Sequence, residues 1–166
     1  MNDCDYVLGV LAKPDGAIAV FKKVDVNTYH YDNTVLVPST PSHYIQPKRL
    51  SKFLSDLLPN AADISAVMVK PESRDTDNKK TLLRVGYNVS TIKAVLDLLN
   101  ITVEWVKNAA TWQNYFNIDQ NNPKQSALDK ATQLLPNTSI ESTEQAEAIL
   151  IGVYGIETVI KKSVRS

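Results

Sequence analysis

Few side chains in this sequence have the type and spacing for chemistry. Glu144 and Glu147 lie three residues apart, so in a helix their carboxylates share one face, and Glu147 interrupts the otherwise apolar run from Ala146 to Val153. Glu144 alone has a simpler account, as an acid in the first turn of a helix, where the dipole favours negative charge. Lys70, Arg74, Lys79, Lys80 and Arg84 gather around one helix start with Asp75 and Asp77 interleaved, a pattern that fits either a solvated face or a surface for phosphates. His30 and His43 have no acidic or thiol partner at a fixed spacing and read as surface residues. Cys4 is the single cysteine, near a terminus expected to fray, and one thiol with two histidines cannot build a Cys/His zinc cage. No Gly-rich phosphate loop, nucleophile elbow or histidine pair at metal-ligand spacing occurs.

The elements that must position these residues follow from periodicity. Asp5 to Leu11 and Ala17 to Phe21 are short apolar, β-branched runs separated by the turn residues Lys13-Pro14-Asp15-Gly16, which predicts a hairpin. Asn33 to Val37 supplies a third antiparallel strand, and Tyr29 and Tyr31, alternating with His30, are expected at a strand edge. Leu50, Phe53, Leu54, Leu57 and Leu58 recur at helical spacing before Pro59, and Ile64 to Val69 reads as a buried strand. The longest helix carries Leu82, Leu83, Val85, Ile92, Val95, Leu96 and Leu99, and Ile101 to Val106 alternates as a strand. Asn122 and Pro123 provide an N-cap and a first-turn proline for a helix to Leu135. A capping box at Ser142 opens a final helix towards Lys162, in which Gly152 and Gly155 let helix and sheet approach closely. Trp105 and Trp112 are expected in the core. Three strands followed by alternating helices and strands call for a mixed α/β sheet of five strands with helices on both faces.

Composition narrows the class. The 166 residues suit one domain spanning 1–166, and 43% hydrophobic with 22% charged residues is ordinary for a globular chain. Eighteen basic residues balance eighteen acidic ones, so no overall basic excess announces a nucleic-acid binder. The lone thiol, the absence of a spanning apolar run and the acidic start of the sequence predict a cytoplasmic protein with no membrane partner.

The segment Leu8-Gly9-Val10-Leu11-Ala12-Lys13-Pro14-Asp15-Gly16-Ala17-Ile18-Ala19-Val20 resembles the first hairpin of RuvC-like Holliday-junction resolvases, in the ribonuclease H-like superfamily. There the pattern is Leu-Gly-Ile-Asp-Pro-Gly, two residues, then Gly-Ala-Ile-Ala-Val, and the spacing matches without a gap. Ala66 to Pro71 falls where the family has an apolar strand ending in Ile-Glu-Arg/Lys-Pro. Lys124 to Ala131 is similar to its Lys-x-x-Ser helix, and Ala146 to Gly155 to its acid-bearing last helix. Trp112, seven residues beyond Trp105, stands where these proteins often carry a tryptophan. The resemblance covers nearly the whole chain and looks closer to phage or viral versions, which would place the protein in a host cytoplasm.

The resemblance implies a site of four carboxylates holding two divalent cations for phosphodiester cleavage. Position by position, those carboxylates fall on Leu11, Val69, Glu144 and Glu147, so two of four are apolar here. The expectation is a catalytically inactive, RuvC-like pseudonuclease with no cofactor, its residual metal positions being Glu144 and Glu147. It would bind branched or duplex DNA through Lys70, Arg74, Lys79, Lys80 and Arg84, or scaffold a protein assembly. A homodimer is implied, with its contact along Asn78 to Leu99. Two alternatives stay open: an active Mg²⁺-dependent junction endonuclease in which Asp15 or Glu72 replaces the missing acids, and a protein-interaction subunit that binds no nucleic acid.

Overall fold

A computed structural model of the chain describes residues 4–72 and 76–165. The strands β1 (Tyr6–Val10), β2 (Ala17–Asp25) and β3 (Thr28–Leu36) form an antiparallel meander, followed by α1 (Pro47–Leu57), β4 (Ile64–Val69), α2 (Lys79–Leu98) and β5 (Thr102–Val106). Then come α3 (Ala109–Tyr115), α4 (Pro123–Leu134), α5 (Thr143–Gly155), a π-helical turn (Ile156–Ile160) and β6 (Ser163–Arg165). The sheet order is β5-β4-β1-β2-β3-β6, with β4 parallel to β1, β5 parallel to β4 and β6 parallel to β3.

Both faces of the sheet are covered, as the near-continuous apolar character of β1, β2 and β4 requires. On one face Leu8, Val10, Ile18, Val20, Ala66 and Met68 pack against Leu50 and Leu54 of α1 and against Ile92 and Leu96 of α2. On the other, Val7, Ala19, Phe21 and Val67 pack against α5 and, through it, α3 and α4. Helix α5 is buried almost all round, the pattern of a helix enclosed by other elements. Among the described residues no helix is long and apolar enough to cross a membrane.

Several expectations are corrected. The sheet has six strands where five were predicted: the helix beginning at Ser142 runs towards Lys162 as expected, its last turn, Ile156–Ile160, being π-helical, and a short strand follows it. A π-helical turn and a left-handed Lys161 (φ 58°) re-aim the chain, and Lys162 Nζ donates to the Val26 carbonyl at 2.6 Å, seating β6 beside β3. Strand β3 pairs with β2 from Thr28 to Leu36 and is longer than predicted, and Tyr29, which also has β6 beside it, is fully buried in the α5-side core, not at an exposed edge; its hydroxyl donates to the Cys4 carbonyl at 2.6 Å. Cys4 is thereby held in the core, not frayed. Trp112 is core, but Trp105 is 37% exposed on the edge strand β5. Asn122 occupies the N-cap of α4 without a side-chain cap bond, whereas Asn108, capping the unpredicted helix α3, accepts from the Thr111 N–H at 3.1 Å.

Glycine sets the separation of α5 from the sheet. A Cβ on Gly9 would overlap the Ala148 carbonyl and the Gly152 backbone, one on Gly152 would overlap the Phe21 ring, and one on Gly155 would overlap the Val67 side chain. Backbone meets backbone at Gly9, so relief requires moving the helix. Gly9→Ala is expected to destabilise the fold by about 3 kcal/mol, at the upper end of overpacking. Urea unfolding that finds Gly9→Ala as stable as the wild type would contradict this packing.

Candidate functional site

The parallel register pairs Val10 with Met68, so Leu11 and Val69 follow side by side at the carboxyl ends of β1 and β4. In a mixed α/β sheet such strand ends form the customary crevice for ligands. Both residues pack partly against the α5 side of the core, and with Val89, Trp112, Ile151 and Glu147 they line a half-open cavity of about 220 Å³. Three of the four positions singled out in the sequence therefore converge on one cavity. Glu144 lies one turn earlier on α5 and opens into a neighbouring cleft together with Asp15.

Lys13 joins the two carboxylates. Its Nζ lies 3.6 Å from Glu144 Oε1, with side chains 43% and 29% exposed, and Lys13 also lines the cavity that holds Glu147. At this exposure the ion pair adds little stability. Burial acts to raise the Glu144 pKa, but its own backbone N–H, the Thr143 hydroxyl at 3.1 Å, Lys13 and Lys124 outweigh it and hold the group below its ordinary value. Glu147 goes the other way. Burial pushes its carboxyl above the ordinary value, with Glu144 adding to that push and Lys13 and Lys124 opposing it.

The remaining candidates are scattered around this centre. Lys70 is exposed and lines the cavity at the end of β4. Lys79 and Lys80 are exposed in the first turn of α2, which holds no acid, and Arg84 is half-buried one turn on. Arg74 and the interleaved Asp75 lie outside the described residues. Asp15 is exposed in the hairpin turn with φ 56° and accepts from the Ser39 hydroxyl at 2.7 Å; Glu72 is exposed in the loop after β4, and neither lines the cavity. His30 and His43 are exposed, as expected. Two residues escaped the sequence reading: Lys13, taken only as a turn residue, and Gln113, on an unpredicted helix. The one available signal was the position of Lys13, two residues beyond Leu11.

This donor set does not fit a pair of divalent cations. Leu11 and Val69 present only carbon, and an ammonium group stands beside the carboxylates that remain. Among the described residues no group of three or more His, Cys, Asp or Glu side chains could hold a metal ion.

The mixed sheet with its antiparallel meander, parallel β4 and β5 and helices on both faces is a ribonuclease H-like fold. Among solved structures it is similar to RuvC of Thermus thermophilus in complex with a Holliday junction substrate, at TM-score 0.63 and 11% identity over 93% of this chain and 96% of that one. A second Thermus thermophilus RuvC structure aligns at TM-score 0.61 and 10% identity, over 95% and 97% of the two chains. No protein-family model and no curated protein matches the sequence.

The opposite displacements of the two glutamates carry a pH signature. Glu144, lowered in the fold, adds stability that is lost as pH falls below the ordinary value of 4.5. Glu147, raised in the fold, favours the native state while protonated, and that contribution is lost as pH rises from 4.5 through its folded pKa. Glu147→Gln cannot ionise. Relative to the wild type, its Tm is therefore expected to rise as pH increases from 4.5 and then level off; a difference independent of pH would refute the assignment.

Proposed function

We propose that this protein is a RuvC-like domain that no longer performs two-metal phosphodiester cleavage and acts as a non-catalytic DNA-binding subunit. The observation that carries the reading is that Leu11 and Val69, just past the last β1–β4 register pair, line one cavity where cleavage would need carboxylates. In-line displacement needs hard oxygen ligands around both ions. Of the four positions only Glu144 and Glu147 offer them, on one helix, and Lys13 competes for the first.

DNA as the partner is supported by where the cations stand. Lys79 and Lys80 occupy the first turn of α2, at the positive end of its dipole, where a stabilising design would place acids. Their mutual repulsion with the helix end raises the local potential instead, which suits a phosphate backbone. Lys70 and Lys13 extend the cationic surface to the cavity. The similarity to a RuvC structure in complex with a Holliday junction substrate makes branched DNA the first probe to use.

A second copy of the chain is the favoured protein partner. Leu83, Tyr87, Ser90, Ala94 and Leu98 recur at three- and four-residue spacing along α2 and are all exposed, Leu98 at 81%. Such a stripe on the longest helix matches the seam of a helix-to-helix dimer.

Three measurements test the reading. A labelled four-way junction is expected to bind with an affinity that falls steeply with salt, and Lys79→Glu with Lys80→Glu to weaken it at least about tenfold. Neither Mg²⁺ nor Mn²⁺ is expected to produce cleavage or to raise Tm, because only a ligand of the native state shifts that equilibrium. Leu83→Lys is expected to convert a dimer to a monomer in light scattering. Cleavage that depends on a divalent ion, or junction binding indifferent to salt and to the charge reversals, would overturn the proposal.

A further inference from the structure

Replacing two carboxylates by Leu11 and Val69 changes what the crevice can admit. A site for hydrated cations is lined by oxygen; this one is walled by Leu11, Val69, Val89, Trp112 and Ile151, with two hydrogen-bonding groups besides its lysines in the lining. Those are the Glu147 carboxyl and the Gln113 carboxamide, and among the described residues neither has a hydrogen-bond partner. A cavity of roughly 150 Å³ holds a benzene ring, so about 220 Å³ accommodates a single planar ring system with little to spare. Apolar walls, with an acceptor and a donor to read an edge, are the requirements for a heteroaromatic ring.

Charge at the mouth decides between occupants. Lys13 and Lys70 both line the cavity and both reach solvent, so they flank its opening, Lys13 with the Glu144 carboxylate 3.6 Å away and Lys70 with no ion-pair partner among the described residues. A lysine or arginine side chain from a protein partner would enter past like charges. A leucine or phenylalanine would cover Glu147 and Gln113 and leave both unpaired, which disfavours it. A nucleotide meets neither objection: its ring enters, its edge pairs with the carboxyl and carboxamide, and its phosphate stays outside between two ammonium groups.

We propose that the cavity between the ends of β1 and β4, α2, α3 and α5 receives one unstacked nucleobase, with Lys13 and Lys70 holding its phosphate. The proposal rests on the DNA-binding reading and specifies its contact. It implies a preference for DNA with an unpaired base, since a base already out of the stack is the least costly to extrude.

The test compares a duplex carrying one unpaired adenine with a fully matched duplex of the same sequence, by fluorescence anisotropy, in the full chain. The wild type is expected to bind the first about tenfold more tightly, the contribution of one stacked base. Val85→Trp adds a ring at the exposed rim of the cavity, and Gln113→Ala removes the edge contact. Val85→Trp should abolish the preference and Gln113→Ala should reduce it severalfold, both leaving affinity for the matched duplex within about twofold. With 2-aminopurine as the unpaired base, binding should change its fluorescence in the wild type and leave it unchanged in Val85→Trp. Equal affinity for the two duplexes, with salt-dependent binding intact, overturns the pocket and spares the DNA reading. Absence of binding to any DNA overturns both. A free nucleoside monophosphate that raises the wild-type Tm and not that of Val85→Trp, without a preference for the unpaired base, assigns the cavity to a free nucleotide and overturns its role on DNA.

Discussion

The close approach of α5 to β1 is the constraint on which the rest of the structure depends. Gly9 and Gly152 face each other with no room for a methyl group, and Gly155 fits against Val67 one turn on. This contact fixes the height of α5 above the sheet. It also fixes where Glu147 stands, because the residue lies just over one turn before Gly152 on the same helix and opens onto the ends of β1 and β4. A helix held farther from the sheet would carry Glu147 away from Leu11 and Val69 and dissolve the cavity. Each glycine within a helix costs roughly 1 kcal/mol relative to alanine, and close packing of the α5 core offsets that cost.

The elements most visible in the sequence were those whose pattern is local. The hairpin turn, the Ile64–Val69 strand, the proline at the start of α4 and the Ser142 cap all announce themselves within a few residues, and the Ser142 hydroxyl does accept from the Gln145 N–H at 3.1 Å. What escaped depends on distant partners. Residues 163–165 have no strand signal of their own; they form β6 because Lys162 and Ser163 reach the turn between β2 and β3. Tyr29 looked like an edge residue for the same reason, since the strand beside it and the α5 helix whose core it joins come more than a hundred residues later. Helix α3 is only seven residues long, too short for periodicity to declare it.

The candidate site was legible as a set of positions and not as a set of interactions. The sequence aligned Leu11, Val69 and Glu147 by their place in a pattern, and the fold brings all three to one cavity. Beyond the nearness of Lys13 to Leu11 in sequence, nothing local shows that this lysine turns back from the hairpin towards α5. That lysine alters the electrostatics of the centre: it offers Glu144 and Glu147 a cation carried by the chain itself, in a region where a solvated ion would otherwise be the available counter-charge. Glu147 stays raised despite it, because burial outweighs the attraction.

The formal neutrality of the chain conceals how its charges are distributed. Asp15, Asp32, Glu141 and Glu144 line one open cleft beside the hairpin turn, whereas Lys13 and Lys70 stand at the apolar cavity and Lys79 and Lys80 at the start of α2. A net charge of zero argues against indiscriminate attraction to a polyanion. It does not argue against a local one, because screening confines each surface charge to about 8–10 Å at ordinary ionic strength. At the cavity itself the charges are mixed, since Lys13 stands 3.6 Å from Glu144 and Glu147 shares the lining, whereas the first turn of α2 carries two lysines and no acid. The balance of eighteen against eighteen is therefore compatible with a local cationic patch at the start of α2, where phosphates could be met without a basic excess over the whole chain.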